Sequence, residues 1–246
     1  MLAVCAAWID ERRAWKKAPD SKCPAGRYIC VTSVHGTMTG VIRPTFKAVL
    51  NAADIATPDG MPLVWALRSF GVSGQQRVYG PDLMLALCEQ AALSGHAIFL
   101  YGGHKESLRE LCTRLLARFP ALSIVGSYSP PFRSLTPSED ENVIKRITDT
   151  DADIVFVGLS TPKQENWMAQ QRDKLAGVVM VGVGAAFDFH AGRVPQAPRW
   201  MQRSGLEWFF RLLMEPRRLW RRYLLLNLWF LPLWALQKLG ILKYRS

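Results

Sequence analysis

The sequence lacks an apolar run long enough to cross a membrane as a helix, which takes roughly 18 to 20 residues. The longest candidate, Tyr223 to Leu236, is shorter and contains Asn227 and Pro232. A leading signal peptide is not expected either, because the N-terminal apolar run Leu2 to Ile9 is followed, not preceded, by basic residues. The sequence therefore predicts no membrane-spanning helix.

Metal-binding and disulfide patterns are also missing. The five cysteines form no C-x-x-C pair, and their odd number and apolar surroundings predict reduced, mostly buried thiols in a cytosolic protein. No metal-binding i, i+4 spacing occurs among the four histidines, which are His35, His96, His104 and His190. We therefore expect no zinc site, no cofactor and a metal-independent chemistry.

Acidic residues are scarce near the C-terminus. Residues 193–246 hold 11 Lys or Arg against 2 Asp or Glu, a surplus of +9, whereas residues 1–192 hold 20 against 18. The same tail carries five of the nine tryptophans. A hydrophobic fraction of 49% with 21% charged residues excludes intrinsic disorder. We predict a near-neutral body over residues 1–192 and a basic, aromatic, helical appendage over residues 193–246.

Short apolar runs that alternate with helical patterns define the body. The predicted strands are Tyr28 to Val34, Ile98 to Leu100, Ser123 to Val125, Ile154 to Val157 and Val178 to Val183. The predicted helices include Asp82 to Leu93, Glu106 to Phe119 and Glu139 to Thr148. Because continuously apolar strands between helices are typical of a covered parallel sheet, we predict an α/β, doubly wound, mostly parallel Rossmann-like sheet with helices on both faces. Ligand-binding residues should follow its strands directly.

Two loops carry the signature of a helix start. Thr136-Pro137-Ser138-Glu139 and Thr161-Pro162-Lys163-Gln164 each place a hydroxyl before Pro and Glu or Gln three residues later, as in a capping box. Gln164 has a second, compatible interpretation, since a helix start after a strand also binds anionic ligands. Lys163 beside it either screens phosphate charge or faces solvent.

Thr57-Pro58-Asp59-Gly60 admits two interpretations. Pro-Asp-Gly is an ordinary turn sequence, in which Asp bonds local backbone and Gly supplies a positive φ. Alternatively, Asp59 is a carboxylate at the mouth of the sheet that takes a proton from an acceptor hydroxyl. The residues alone favour the turn.

Two glycine-containing loops follow predicted strands. In Tyr101-Gly102-Gly103-His104, the small residues let backbone N–H groups approach a phosphate. Glycine after a strand also commonly forms an ordinary turn with no binding role. Gly182-Val183-Gly184-Ala185-Ala186-Phe187 lacks the third glycine of the dinucleotide fingerprint and lies late in the body, so we do not expect a nicotinamide enzyme. The same loop can still hold a nucleotide, with Asp188 facing a base or ribose.

Asp149-Thr150-Asp151-Ala152-Asp153 contains two overlapping Asp-x-Asp pairs, a pattern able to hold a divalent metal through oxygen ligands. These residues precede the Ile154 strand and so lie at its amino end, away from the expected site. We interpret them as a solvated loop.

The spacing of the tail predicts a cationic amphipathic helix. At about 100° per residue, Leu219, Trp220, Tyr223 and Leu226 lie opposite a cluster of Arg217, Arg218, Arg221 and Arg222. Such a helix turns its basic face to solvent, lies in a membrane interface or binds nucleic acid. The Trp-rich run Leu224 to Leu236 favours an anionic membrane surface, contacted by the four arginines and Trp220, over nucleic acid.

A series of motifs runs in unbroken order from about Tyr28 to Tyr223. It consists of Ala52-Ala53-Asp54, Pro58-Asp59-Gly60-Met61-Pro62, Arg77-Val78-Tyr79-Gly80-Pro81-Asp82-Leu83, Tyr101-Gly102-Gly103, Pro162-Lys163-Gln164-Glu165, Gly182 to Phe189, Arg193 with Ala197-Pro198-Arg199-Trp200-Met201, Gly205-Leu206-Glu207-Trp208 and Glu215-Pro216-Arg217-Arg218. With these motifs the chain closely resembles the WecG/TagA/CpsF glycosyltransferase family.

The resemblance implies metal-independent, inverting transfer from a UDP-sugar to a polyprenyl-diphosphate-linked saccharide in exopolysaccharide or cell-envelope glycan biosynthesis. It implies a peripheral location on the inner face of the bacterial cytoplasmic membrane. It also implies that Asp59 is the general base, against the turn interpretation, that Arg77 stabilises the leaving UDP and that Gln164 belongs to the active site. The predicted nucleotide contacts are Gly102, Gly103, Lys163, Gly184 and Asp188.

One departure from the family pattern concerns the donor sugar. Family members commonly show Thr-x-Asn where this chain has Val31 and Ser33. Ser33 can hydrogen-bond a sugar hydroxyl, but it reaches less far and has fewer N–H or O–H groups to donate than an amide. The identity of the donor sugar therefore stays open, and His35 and Thr32 are candidate replacement contacts. The alternative function is a non-catalytic nucleotide-sugar-binding or regulatory subunit, and a homo-oligomer is possible for either.

Overall fold

The computed structural model describes residues 1–19, 23–220 and 226–243. Within these ranges the chain forms six strands, namely β1 (Arg27–Thr32), β2 (Ile55–Pro58), β3 (Ala97–Gly102), β4 (Ser123–Tyr128), β5 (Ile154–Gly158) and β6 (Val179–Gly182). The same ranges hold thirteen helices, namely α1 (Leu2–Lys17), α2 (Val34–Ile42), α3 (Pro44–Asn51), α4 (Met61–Ser69), α5 (Gly80–Ser94), α6 (Lys105–Arg118), α7 (Pro137–Asp149), α8 (Lys163–Gln171), α9 (Ala186–His190), α10 (Arg199–Arg203), α11 (Glu207–Met214), α12 (Pro216–Trp220) and α13 (Leu228–Lys238).

The six described strands form one parallel sheet in the order β2-β1-β6-β5-β3-β4. The chain moves one way across the sheet from β3 to β4 and the opposite way from β4 to β5 and β6. Because crossover connections between parallel strands are right-handed, these opposite moves place α6 on one face and α7 and α8 on the other. The prediction of a doubly wound, parallel α/β sheet is confirmed.

Contacts divide the chain into two compact units. The first unit comprises Met1–Cys30, Ala53–Ile55 and Gly80–Val194, and the second comprises Val31–Ala52, Ala56–Tyr79 and Pro195–Ser246. The C-terminal segment thus shares the second unit with helices from the N-terminal third of the chain. Whether residues 1–192 and 193–246 behave as separate domains stays a prediction.

The core of the first unit is built from continuous apolar strand residues. Ile98 and Leu100 of β3, Val155 of β5 and Val181 of β6 are fully buried, as is Leu111 of α6. Burial on both faces is what a parallel sheet requires, and it explains why these strands read as unbroken apolar runs instead of alternating patterns.

The core of the second unit joins helices that are distant in the sequence. It consists of Val34 and Met38 of α2, Leu63 and Ala66 of α4, and Phe230 of α13. Leu226, Leu233 and Trp234 pack against it. Part of the predicted Trp-rich run is therefore used for packing inside this unit.

Two strand predictions need correction. The strand predicted to end at Val34 ends at Thr32, because Ser33 caps α2 and Val34 is its first residue. Strand β2 was not predicted, since it has only four residues, ends in proline and exposes Ala56.

One predicted capping box is confirmed and the other is wrong. Thr136 accepts from the Glu139 backbone N–H, and the Glu139 side chain accepts from Thr136. At α8, in contrast, Pro162 is the N-cap and no side chain caps the helix. The Thr161 hydroxyl donates to Glu165 Oε1 at 2.8 Å. Gln164 is therefore not explained by capping.

The prediction of a solvated acidic loop before β5 is wrong for Asp153. Its side chain is buried and accepts from Arg12 Nη1 at 3.0 Å and from Arg13 Nη2 at 2.7 Å. The Ala97 backbone N–H donates to it at 2.9 Å. Asp151 is exposed and pairs with Arg12 at 2.7 Å. These aspartates therefore anchor α1 within the first unit.

The prediction that the cysteines are unpaired and mostly buried is confirmed. All five cysteines are free thiols, with Cys5, Cys30 and Cys88 buried and Cys23 and Cys112 partly buried. None of the helices in the described part of the chain combines the length and apolar character needed to span a bilayer.

Candidate active site

Asp59 lies at the carboxyl end of β2, in the short link before α4. Its backbone N–H donates to the Thr32 carbonyl oxygen at 2.8 Å, which continues the pairing of β2 with β1 by one residue. Gly60 is extended and caps α4, which begins at Met61. The link is therefore a strand-to-helix turn that fixes the backbone of Asp59, while its side chain lines a cavity of the second unit.

The Arg77 guanidinium joins Asp59 to Glu207, the first residue of α11. Its Nε donates to the Asp59 carbonyl oxygen at 2.6 Å, and its Nη2 donates to Glu207 Oε2 at 2.6 Å and to Asp59 Oδ1 at 3.3 Å. Nη1 lies 3.4 Å from the Gln202 carbonyl oxygen. The guanidinium carbon lies 4.3 Å from the centre of the Tyr79 ring, a cation–π distance. Arg77 is therefore held by four neighbours.

The pKa of the Asp59 carboxyl is shifted toward neutral pH. Burial raises its pKa to about 7, opposed in part by Arg77 and Arg211 and reinforced by the nearby negative charge of Glu207. Burial acts in this direction because a poorly solvated site disfavours the charged form. The side chain keeps 27% of its surface exposed, so a ligand in the cavity can reach it. Such a group is suited to exchange protons at neutral pH.

The cavity has a volume of about 360 Å³, within the range of small-ligand sites. Its lining combines charged and polar groups with a set of large apolar side chains. The first set is Ser33, His35, Asp59, Arg77, Glu207 and Arg211, and the second is Trp65, Leu206, Trp208, Leu228, Phe230 and Leu231. A ligand with both a polar and an apolar portion fits this composition.

The structure brings four of the predicted site residues together in this cavity, namely Ser33, His35, Asp59 and Arg77. Thr32 supplies the backbone carbonyl that fixes Asp59. Glu207 and Arg211 also line the cavity and were not predicted as site residues. Glu207 stands within a quoted motif, but its partner Arg77 is 130 residues away in the chain, and no local pattern indicates that pairing.

Gln164 belongs to the first unit, where it is buried on α8 at 2% exposure. Its Nε2 donates to Glu165 Oε1 at 3.1 Å. A Cβ at Gly182 would lie 3.0 Å from Nε2 and 2.9 Å from Met168 Cε, so glycine at this position lets both side chains approach the strand closely. The Oε1 atom is buried without a hydrogen-bond partner among the described residues. A buried amide oxygen of this kind is available to a ligand donor.

The predicted nucleotide loops of the first unit are well ordered by local contacts. Gly102 has φ of +121°, and a Cβ there would lie 2.6 Å from the Gly158 carbonyl, so only glycine fits. The Gly103 carbonyl accepts from the Ser129 hydroxyl at 2.7 Å. Asp188 on α9 accepts from the Ser107 hydroxyl on α6 at 3.1 Å. The Asp188 carboxylate is therefore already partnered at one oxygen.

Lys163 is exposed at the start of α8, and its Nζ lies 5.8 Å from the centre of the Phe132 ring. The same ring stacks on His104 with centroids 5.6 Å apart. Phe132 itself is 89% exposed. No sequence pattern predicts this aromatic contact, because Phe132 lies in an irregular loop.

The predicted membrane contacts lie only partly in the described residues. Arg217 is exposed on α12, and Trp220 at its end is 43% exposed, although Leu219 is buried. Arg218 lies on the same helix. Arg221 and Arg222 lie outside the described residues. The proposed amphipathic helix is therefore seen over its first turn, and its contact with a membrane stays a prediction.

The chain is similar to known proteins along most of its length. The sequence model of the family described as the glycosyl transferase WecG/TagA/CpsF family matches residues 6–244. A relative from Bacillus spizizenii is 33% identical over 199 residues, which cover 81% of this chain and 75% of the relative. That protein is named N-acetylglucosaminyldiphosphoundecaprenol N-acetyl-beta-D-mannosaminyltransferase.

Proposed function

Because the chain belongs to the WecG/TagA/CpsF glycosyltransferase family, we propose that it transfers a sugar from a UDP-sugar to a polyprenyl-diphosphate-linked saccharide of the cell envelope, with inversion at the anomeric carbon. By its name, the relative from Bacillus spizizenii uses an acceptor of this lipid-diphosphate type. The observation that carries the proposal for this chain is the Asp59 carboxyl, which lines the cavity with a pKa of about 7.

Asp59 is the proposed general base. Its carboxylate takes the proton of an acceptor hydroxyl as that oxygen forms a bond to the anomeric carbon of the donor. The bond between this carbon and the UDP oxygen breaks at the same time, and UDP leaves with the electron pair. Attack from the face opposite to the leaving group inverts the anomeric configuration. A carboxyl with pKa near 7 accepts the proton at neutral pH and is regenerated by losing it to water.

Positive charge at the site replaces a metal in this proposal. Arg77 and Arg211 both line the cavity, and fixed guanidinium groups stabilise the charge that develops on a leaving diphosphate. We therefore propose a metal-independent transfer. Activity that is unchanged by a chelator and unaffected by added magnesium or manganese is the expected result, and dependence on either ion would contradict it.

The first unit is proposed to bind the nucleotide. The Gln164 amide oxygen is buried and unpartnered among the described residues. The Gly102, Gly103 and Gly184 loops follow strands, where ligands bind in open α/β sheets. We propose that these loops, with Lys163 and Asp188, hold the UDP portion of the donor.

The donor sugar is proposed to meet Ser33 and His35. Both residues line the cavity that contains Asp59, and Ser33 stands where the family commonly has asparagine. A hydroxyl reaches less far than an amide, so we propose that this chain selects a different donor sugar from the relative's N-acetylmannosaminyl group. Mass spectrometry of products from a panel of UDP-sugars with a lipid-diphosphate acceptor identifies the donor directly.

The base assignment is tested with Asp59→Asn, which keeps the shape of the side chain but cannot accept the proton. We expect transfer to fall by about 10²- to 10⁴-fold, while UDP binding and the fold are retained. Asp173→Asn, at an exposed position of the first unit, is the control for the chemical change. Near-normal turnover of Asp59→Asn would overturn the assignment. A wild-type protein that binds UDP-sugars but forms no product would instead be a non-catalytic binding subunit.

A further inference from the structure

A single guanidinium nitrogen stands between two carboxylates at the candidate site. Arg77 Nη2 lies 2.6 Å from Glu207 Oε2 and 3.3 Å from Asp59 Oδ1. Charge-assisted N–H···O bonds are strongest at about 2.7–2.9 Å and weaken as the distance grows. Glu207 therefore holds the strong bond of Nη2, and the Asp59 carboxylate holds the weak one.

Resting on the proposed function of Asp59, we propose that Glu207 is a positioning residue that draws the Arg77 guanidinium away from the Asp59 carboxylate and so keeps that carboxylate basic enough to deprotonate the acceptor. Glu207 does not itself need to touch the acceptor. It acts through Arg77, whose charge it balances.

The remaining contacts of Arg77 explain why Glu207 is needed. Nε is fixed by the Asp59 backbone carbonyl at 2.6 Å, and the guanidinium lies on the Tyr79 ring. Both contacts keep Arg77 beside Asp59 when Glu207 is changed. Without Glu207, the Nη2 group is free to close the 3.3 Å gap and form a full ion pair with Asp59 Oδ1. A full ion pair favours the charged carboxylate and makes it a weaker base.

The charged and titratable groups around Asp59 come from three parts of the second unit. Arg77 and Tyr79 lie in the link before α5, Glu207 and Arg211 on α11, and His35 on α2. Burial raises the pKa of Asp59, Glu207 raises it further, and the two arginines lower it. Glu207 is thus the carboxylate that offsets the two guanidinium groups at this site.

The test is the pH dependence of transfer in Glu207→Gln, measured as kcat/KM. The amide keeps the shape of the side chain and can still accept from Arg77, but it loses the negative charge. We expect the acidic limb of the profile to move to lower pH by about half a unit or more, as the pKa of Asp59 falls. The plateau rate should fall several-fold because a weaker base removes the proton less well.

Two further variants keep the test decisive. Glu207→Asp retains the charge but shortens the reach, so we expect a shift between those of wild type and Glu207→Gln. Glu139→Gln makes the same change at an exposed ion pair with Arg133, 2.6 Å long, and should leave the profile unmoved. If Glu207→Gln does not fold, Glu207→Asp carries the measurement alone.

A purely structural role for Glu207 predicts a different outcome. Loss of stability or of activity with an unchanged midpoint of the acidic limb would overturn the proposal. Failure of the proposed function is separable, because it appears as an active Asp59→Asn variant or as a wild-type protein without transfer. The Glu207 proposal fails alone when wild type transfers, Asp59→Asn does not, and the midpoint in Glu207→Gln equals that of wild type.

Discussion

The indole N–H of Trp234 donates a hydrogen bond of 2.9 Å to the hydroxyl of Ser69. This bond ties α13 to α4 within the second unit, and Phe230 on α13 packs against Leu63 and Ala66 of α4. Deleting the chain from Arg217 onward would therefore expose this core and remove Leu228, Phe230 and Leu231 from the cavity lining. Membrane association is better tested by point substitutions that leave α13 in place.

Charge reversal on the predicted amphipathic helix should weaken membrane binding. We expect Arg217→Glu with Arg221→Glu to reduce binding to liposomes that contain anionic lipid, because each arginine near such a surface contributes about 1 kcal/mol. Co-sedimentation with liposomes measures the effect. The control is the same double charge reversal at exposed Arg109 and Lys145 of the first unit. Equal binding by both double variants would show that the helix serves another purpose.

Gln164→Ala should impair transfer without unfolding the protein. The variant removes the buried amide whose oxygen is unpartnered, so we expect kcat/KM to fall by about tenfold or more, the loss of one good polar contact to a ligand. Gln170→Ala on the same helix is the matched control, since Gln170 is exposed. Isothermal titration with UDP shows whether the loss is in nucleotide binding. Normal kinetics in Gln164→Ala would remove this residue from the site.

Gly184→Ala tests the loop after β6. Gly184 has φ of +55°, and a Cβ there would lie 3.6 Å from Gln164 Oε1. We expect a loss of stability of about 1 kcal/mol from backbone strain and, in addition, weaker UDP binding. Gly95→Ala separates the two effects, because Gly95 has a similar φ of +64° and its Cβ would meet no atom within 4 Å. The loop is not part of the nucleotide site if both variants bind UDP equally.

Asp153→Asn should destabilise the protein strongly. The change removes the buried charged partner of Arg12, whose side chain is 6% exposed, and leaves it, among the described residues, only the pair with exposed Asp151. Breaking a buried pair costs about 3–5 kcal/mol. The bonds to Arg13 and Ala97 hold the pKa of Asp153 below its ordinary value despite burial. Its stabilisation is therefore present above the ordinary carboxyl range and is lost as the pH falls through the lowered pKa. Urea unfolding, with exposed Asp149→Asn as the control, measures the difference.

The raised pKa of Asp59 predicts a pH dependence of stability opposite to that of Asp153. A carboxyl whose pKa is higher in the folded protein stabilises the fold most when the pH is below its ordinary pKa of about 3.9. This stabilisation is lost as the pH rises through about 7. Asp59→Asn avoids the buried charge, so its Tm at pH 8 should exceed that of wild type by about 2–4 °C. The difference should shrink at pH 5. Calorimetry at the two pH values checks this, and a lower Tm at pH 8 would contradict it.

Several features of the fold and site could be predicted because their signals are local. Unbroken apolar strands such as Ile154–Gly158 indicated the covered parallel sheet, and Thr136 with Glu139 marked a true helix start. The Thr161 motif has the same pattern, with Gln in place of Glu, yet Thr161 bonds the Glu165 side chain instead of capping α8. A local pattern permits both arrangements, and only the surrounding contacts choose between them.

The sequence by itself determined the α/β sheet, the separation of charge between body and tail, and membership of the glycosyltransferase family, because periodicity, composition and motif order are properties of neighbouring residues. Only the tertiary structure decided that Glu207 shares Arg77 with Asp59, that Asp153 is buried against α1, and that α13 packs on α2 and α4. These relationships join residues far apart in the chain. Their distances depend on how the chain is folded, and no pattern of adjacent residues records them.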